Sequence, residues 1–156
     1  MSQRASLLRG VAAFAVLTVA ASAGAQAADP VFGHWLTESK RAIVEISPCG
    51  ENACGKVVWL LEPNDDSGQP KTDVKNEDEN LRSRPVCGLE MLGSFTKEAE
   101  GEWEDGTIYN GEDGKTYNAF MEMQDDGTLK VRGYVGISLL GKSQIWTREE
   151  NNRGGC

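Results

Sequence analysis

Two runs in this chain alternate apolar and polar side chains with a period of two, and Asp-Gly pairs punctuate them. Residues 128–135 set Leu129, Val131, Gly133 and Val135 against Lys130, Arg132 and Tyr134. Residues 117–123 set Tyr117, Ala119, Met121 and Met123 against Asn118, Phe120 and Glu122. Successive strand side chains point to opposite faces, so this period describes half-buried strands and not helices. Asp113-Gly114 and Asp126-Gly127 stand between runs, and Asp-Gly accepts the positive φ that tight hairpins require. Further runs lie near 33–38, 41–48, 54–61, 88–95, 102–110 and 142–149; with 115–124 and 128–137 they make about eight strands. The stretches 105–110 (DGTIYN) and 113–118 (DGKTYN) echo one another as two similar turn-then-strand starts. Consecutive strands joined by short turns fit an all-β, antiparallel up-and-down barrel, in which closure removes exposed sheet edges.

One segment interrupts the pattern. Residues 62–86 carry Pro63, Gly68, Pro70, the acidic run Glu77-Asp78-Glu79, and Arg82-Ser83-Arg84-Pro85. A loop of this length in a compact domain is usually functional or disordered. One short helical turn is expected around 77–83. At 156 residues the chain has room for one domain.

The beginning of the sequence reads differently. Arg4 and Arg9 precede an apolar stretch over 10–23, which ends in small residues through Ala28. That is the layout of a secretory signal peptide, with cleavage expected after Ala25, Ala27 or Ala28. The apolar core is shorter than the roughly 20 residues of a membrane span, which disfavours an uncleaved anchor. The expected organisation is a leader over 1–28, a barrel domain over 29–149 and a tail over 150–156 ending in Cys156. The expected location is periplasmic or secreted, with no stable membrane anchor.

Cysteine usage agrees with export. Cys49, Cys54, Cys87 and Cys156 all follow the leader, and an even count in an oxidising compartment reads as disulfides. Zinc would favour closer, repeated Cys pairs, so no metal is expected. Three connectivities exist for four cysteines. Cys49 and Cys54 flank a turn-like Gly50-Glu51-Asn52-Ala53, so the expected pairs are Cys49–Cys54 and, by elimination, Cys87–Cys156.

The 16 Lys and Arg against 24 Asp and Glu, a formal charge of −8, argue against nucleic acid and anionic membrane surfaces as partners. Enzyme signatures are sparse. No G-x-S-x-G and no Walker-type phosphate loop is present, and the single histidine, His34, has no sequence partner for a triad. No catalytic residue and no cofactor is expected. The acidic loop lacks the calcium-loop pattern and reads as solvated.

Gly33-x-Trp35 on the first strand and Arg148 on the last resemble the closure of lipocalins, in which the arginine packs over the tryptophan and seals one barrel end. A fuller set of motifs runs in order along the chain. It comprises Gly33-x-Trp35, Cys54-Gly55-Lys56, Asn64-Asp65 and Arg82-x-Arg84-Pro85 with Gly88-Leu89. It continues with Trp103…Gly106-x-Ile108-Tyr109, Asp113-Gly114-Lys115-Thr116-Tyr117 and Gln144-x-Trp146-x-Arg148. Together these resemble the bacterial secreted family catalogued as domain of unknown function 2147, over residues 30–149. Residues 134–141 lack a cysteine carried by relatives, and Cys156 stands as its substitute. The resemblance implies export and a small lipocalin-like β-barrel, and it implies no established reaction.

Arg82 and Arg84 lie two apart before a proline, so both guanidiniums face one side, suited to a carboxylate or phosphate. Neutralising the adjacent acidic loop is the alternative role. Gln144, Trp146 and Arg148 share one strand face; with Trp146 inward, Gln144 needs a polar partner in the interior. Tyr109 and Tyr117 add polar handles, and the 62–86 loop is placed to act as a lid. The candidate ligand site is therefore Arg82, Arg84, Tyr109, Tyr117, Gln144 and Trp146, for a small amphipathic, anionic guest. A filled barrel serving as an envelope interaction or stress module is the second reading. A hydrolase using a carboxylate pair is the third.

Overall fold

The computed structural model describes residues 28–151, 153, 155 and 156. Of the expected leader over 1–28, residues 1–27 lie outside the described residues. Eight antiparallel strands follow one another around a closed barrel: β1 Gly33–Leu36, β2 Ala42–Cys49, β3 Asn52–Leu60, β4 Glu90–Ala99, β5 Glu102–Asn110, β6 Lys115–Met123, β7 Leu129–Tyr134 and β8 Gly141–Arg148. Each strand pairs with its sequence neighbours, and β1 meets β8 through Trp35↔Arg148 and Leu36↔Thr147. The expected all-β up-and-down barrel is therefore the fold. Two strand ends differ from the pattern. β4 is shifted toward the C-terminus of its expected span. β7 stops at Tyr134 rather than running to 137, because Gly136 at φ 69° turns the chain out of the sheet. Val135, on the apolar face by periodicity, is consequently exposed.

Alternation translates directly into packing. Trp35, Val44, Ile46, Leu92, Phe95, Met121, Leu129, Val131 and Trp146 are fully buried in one cluster. In a single barrel whose outer face meets water, such side chains occupy the interior. Phe95 reaches its place where β4 shifts register against β3 and β5 against β6: Ser94 and Asp105 both take positive φ, and the Phe95 ring lies against Gly106. A methyl group at Gly106 would overlap that ring.

The chain before β1 closes one end. Val31 is fully buried and its carbonyl accepts from Trp35 Nε1 at 2.8 Å. The Arg148 guanidinium lies 4.2 Å from the centre of the Trp35 ring and donates to the carbonyls of Phe32 and Pro30. Asp29 accepts from Trp103 Nε1 at 3.2 Å and meets Lys97 Nζ at 3.0 Å. Burial pushes the Asp29 carboxyl up, but the Val31 amide, Lys97, Trp103 and Gly101 outweigh burial and hold it below its ordinary range. Cys49 is bonded to Cys54, with Cα atoms 5.8 Å apart, and Cys87 to Cys156, at 5.7 Å. The second bond lays the tail along the barrel, where Arg153 stacks 5.2 Å from the Trp59 ring.

Candidate functional site

The opposite end carries the long β3–β4 connection, and its own side chains shape it. Asp65 caps a turn by accepting from the amides of Ser67 and Gln69. Short antiparallel bridges, Asn64↔Pro70 and Thr72↔Pro85, fold the segment back on itself. The expected helical turn is a single 3-10 turn, Glu79–Leu81, capped by Asp78. This loop is built, not loose.

Its anchor is Asp73, whose side chain is 1% exposed. The carboxylate accepts from Tyr109 Oη at 2.5 Å, Asn76 Nδ2 at 2.8 Å and Arg84 Nε at 2.9 Å. Arg84 also lies 5.2 Å from the centre of the Tyr109 ring. Burial pushes the Asp73 carboxyl up, yet the donors from Tyr109, Asn76 and Arg84 prevail and hold it below the usual carboxylate range. The Tyr109 hydroxyl is pushed up by burial and by the facing Asp73 charge. Lys75 Nζ donates to the Glu112 carbonyl at 2.8 Å, and Lys115 faces Glu77 at 3.7 Å, so the loop is also tied to the β5–β6 turn. Gly114 is required there: at φ 76° it leaves no room for a side chain against the Lys75 carbonyl.

The pinned loop leaves a cleft of about 550 Å³ between itself and β4–β6. Met91, Leu81 and Tyr109 supply its apolar and aromatic surface, and Asn76, Asp78, Glu90 and Arg84 its polar edge. A neighbouring cleft of about 370 Å³ is lined by Glu77, Lys115, Tyr117, Tyr134 and Val135.

The sequence-derived candidates separate in this frame. Arg84 and Tyr109 line the larger cleft, and Tyr117 the smaller one. Arg82 does not converge with Arg84: its Nε donates to the Asn76 carbonyl at 2.8 Å and its Nη1 to Glu79 at 3.2 Å. Both arginines thus spend their donors on the acidic loop itself, the alternative role weighed above. Tyr117 donates to Asp113 at 2.7 Å. Gln144 departs furthest from expectation: its residue is exposed, and its carbonyl oxygen accepts from Trp146 Nε1 at 2.8 Å. The indole two residues along supplies the partner that a guest was expected to supply. Trp146 itself is fully buried in the main core. Among the described residues, no group of three or more His, Cys, Asp or Glu is placed to hold a metal. Asp73 and Asn76, central to the site, carry no local signal that sets them apart from the other polar residues of the loop.

The profile of the family described as "Uncharacterized protein conserved in bacteria (DUF2147)" matches residues 33–148. A solved structure described as protein HP1028 from the human pathogen Helicobacter pylori, belonging to the lipocalin family, superposes with a TM-score of 0.68. It is 22% identical, over 78% of this chain and 84% of that one, a likeness that establishes the fold alone. No curated protein matches the chain.

Proposed function

This chain belongs to the bacterial family DUF2147, and on that premise we propose that it is an exported, lipocalin-like binding protein for a small amphipathic molecule. The observation that carries this reading is the cleft of about 550 Å³ beneath the pinned loop, a size within the usual range for small-ligand sites. The interior at the Trp35 end is filled by Phe95, Trp146 and their neighbours, so the guest belongs beside the barrel, under the loop. Apolar Met91 and Leu81 with the Tyr109 ring suit its hydrocarbon part. The polar edge changes the expected charge of the guest. Arg84 is already neutralised by Asp73 at 2.8 Å and Glu77 faces Lys115, whereas Asp78 and Glu90 also line the cleft. A neutral or cationic head group fits better than an anionic one.

Export is supported by the basic-then-apolar leader and by two disulfides, which persist in oxidising compartments. Among the described residues no helix is long and apolar enough to cross a membrane. The hydrolase reading gains nothing from electrostatics. The carboxyls with displaced pKa values, Asp73 and Asp29 foremost, are lowered, opposite to the raised value a general acid needs.

Thermal melting with a panel of single-chain amphiphiles, cationic, neutral and anionic, each below its micellar concentration, tests the proposal. A guest at one hundred times its Kd stabilises by about 2.7 kcal/mol, a shift of several degrees. Stabilisation by cationic or neutral members, abolished by Met91→Asp, is the expected outcome. A panel without effect, together with no bound mass in native mass spectrometry of the exported protein, would leave the filled-barrel interaction module as the better account.

A further inference from the structure

The β7–β8 hairpin combines two features that nothing above uses. Its tip projects Val135, Ile137, Leu139 and Leu140 at 63%, 59%, 82% and 67% exposure. Its whole length, residues 129–148, carries Lys130, Arg132, Lys142 and Arg148 and no acidic residue, in a chain where Asp and Glu outnumber Lys and Arg 24 to 16. The net charge of the molecule conceals this local segregation.

From this juxtaposition we propose that the β7–β8 tip docks on an anionic bilayer surface, with the four aliphatic side chains entering the interface and Arg132 and Lys142 lying at the phosphate level. Three backbone hydrogen bonds close the tip and lower the cost of bringing it to an apolar interface. Val135 N–H donates to the Leu140 carbonyl, Ile137 N–H to that of Val135 and Leu140 N–H to that of Ile137. Arg132 Nε donates to the Ser138 carbonyl at 2.7 Å, and its Nη1 to Ser143 Oγ at 2.9 Å, holding the tip upright from its base. Tyr134, amphipathic, stands where the strand meets the tip. The acidic groups that face the hairpin come from other elements: Glu122, which pairs with Lys130 at 2.8 Å far from the tip, Glu38, which accepts from the Ile145 amide, and Glu77, which lines the smaller cleft with Tyr134 and Val135.

A bilayer fits better than another occupant. The tip spans residues 135–140 and is convex, too small to contribute the roughly 800 Å² per partner of a standard protein interface. It contains no Trp or Arg anchor of the kind that dominates such interfaces. A two-fold contact between copies would set the patch holding Arg132 and Lys142 against itself, like charge on like. One short apolar tip with two nearby cations gives reversible attachment, not permanent anchoring.

Sedimentation with vesicles tests the proposal, using leader-free protein with both disulfides formed. The expected result is binding to equal parts phosphatidylethanolamine and phosphatidylglycerol, weakened by salt and absent from phosphatidylcholine alone. Leu139→Asp with Leu140→Asp should abolish binding, and Lys142→Glu should weaken it roughly tenfold. Near-ultraviolet circular dichroism verifies that these exposed substitutions leave the fold intact. Failure of the unaltered protein to sediment, or undiminished binding of the double variant, overturns the proposal. So does a concentration-dependent dimer, seen by light scattering, that the double variant dissolves.

Discussion

Asp73 holds three donors from three directions: a phenol from β5, an amide three residues along, and a guanidinium from the far end of the loop. Removing its carboxylate leaves those donors buried or half-buried without an acceptor, each costing about 1–3 kcal/mol when water cannot replace the partner. Asp73→Ala is expected to destabilise the protein by about 2–3 kcal/mol, read from the urea midpoint, whereas Arg82→Ala should cost less than about 1 kcal/mol. Asp73 shares a pH dependence with Asp29 at the closed end. Asp73 and Asp29 are both more acidic folded than unfolded, so their ionised forms favour the fold. That stability is complete above the unfolded carboxylate value and drains away as pH falls through the folded ones. Urea midpoints should stay level from about pH 7 to 5 and drop below about pH 4. Asp73→Asn, which no longer titrates there, should flatten part of the drop; an unchanged slope would show that Asp73 is not linked to folding.

Among the elements, β4 and β5 depend on one close approach. Gly106→Ala places a methyl group in the Phe95 ring, and the register shifts beside Ser94 and Asp105 leave the strands little room to separate. Overpacking of this kind costs about 1–3 kcal/mol, and the loss should be largely recovered in Gly106→Ala with Phe95→Leu. The two disulfides differ by the loops they close. Cys87–Cys156 spans 69 residues and Cys49–Cys54 only 5. The chain-entropy account assigns about 4 kcal/mol to the first and about 2 kcal/mol to the second. Paired Cys→Ala variants compared in urea should keep that order. Equal losses would point to residual structure that already constrains the unfolded chain.

For the molecule as a whole, the closed end is the stable end. Residues before β1 thread beneath the barrel, and Arg148 on β8 clamps them to Trp35 on β1, joining the first and last strands at the seam. A double-mutant cycle with Trp35→Phe and Arg148→Ala should return a coupling of about 1 kcal/mol, since the stack is partly open to solvent. Trp35, Phe95 and Trp146 fill the core at this end, and the loop, its cleft and the β7–β8 tip lie at the other. Hydrogen exchange should be slowest in Leu129–Val131 and Val44–Ile46, and faster in residues 135–140, whose turn packs against little else.

Local chemistry was readable directly. Side-chain alternation at 117–123 and 128–135 marked β6 and β7, Asp-Gly marked their turns, and Gly33-x-Trp35 with Arg148 marked the seam, because each of these is a matter of spacing within a few residues. The 3-10 turn over 79–81 is legible for the same reason. Partner choice among polar groups was not. An extended chain would set Arg82 and Arg84 on one side, but Arg82 takes helical φ/ψ at the end of the 3-10 turn, so one guanidinium turns to Asn76 and Glu79 and the other to Asp73, each going to the acceptor that the folded loop brings nearest. Gln144 has the face its strand period assigns, but its partner is Trp146 on its own strand, a matter of rotamers and of where the barrel rim falls. The cleft and the exposed tip arise where period-two order ends, at connections whose path depends on contacts distant in sequence. Periodicity is enforced by the backbone itself; the pairing of buried charges is settled by the whole fold, because only there is water excluded and each polar atom left to find its partner within the protein.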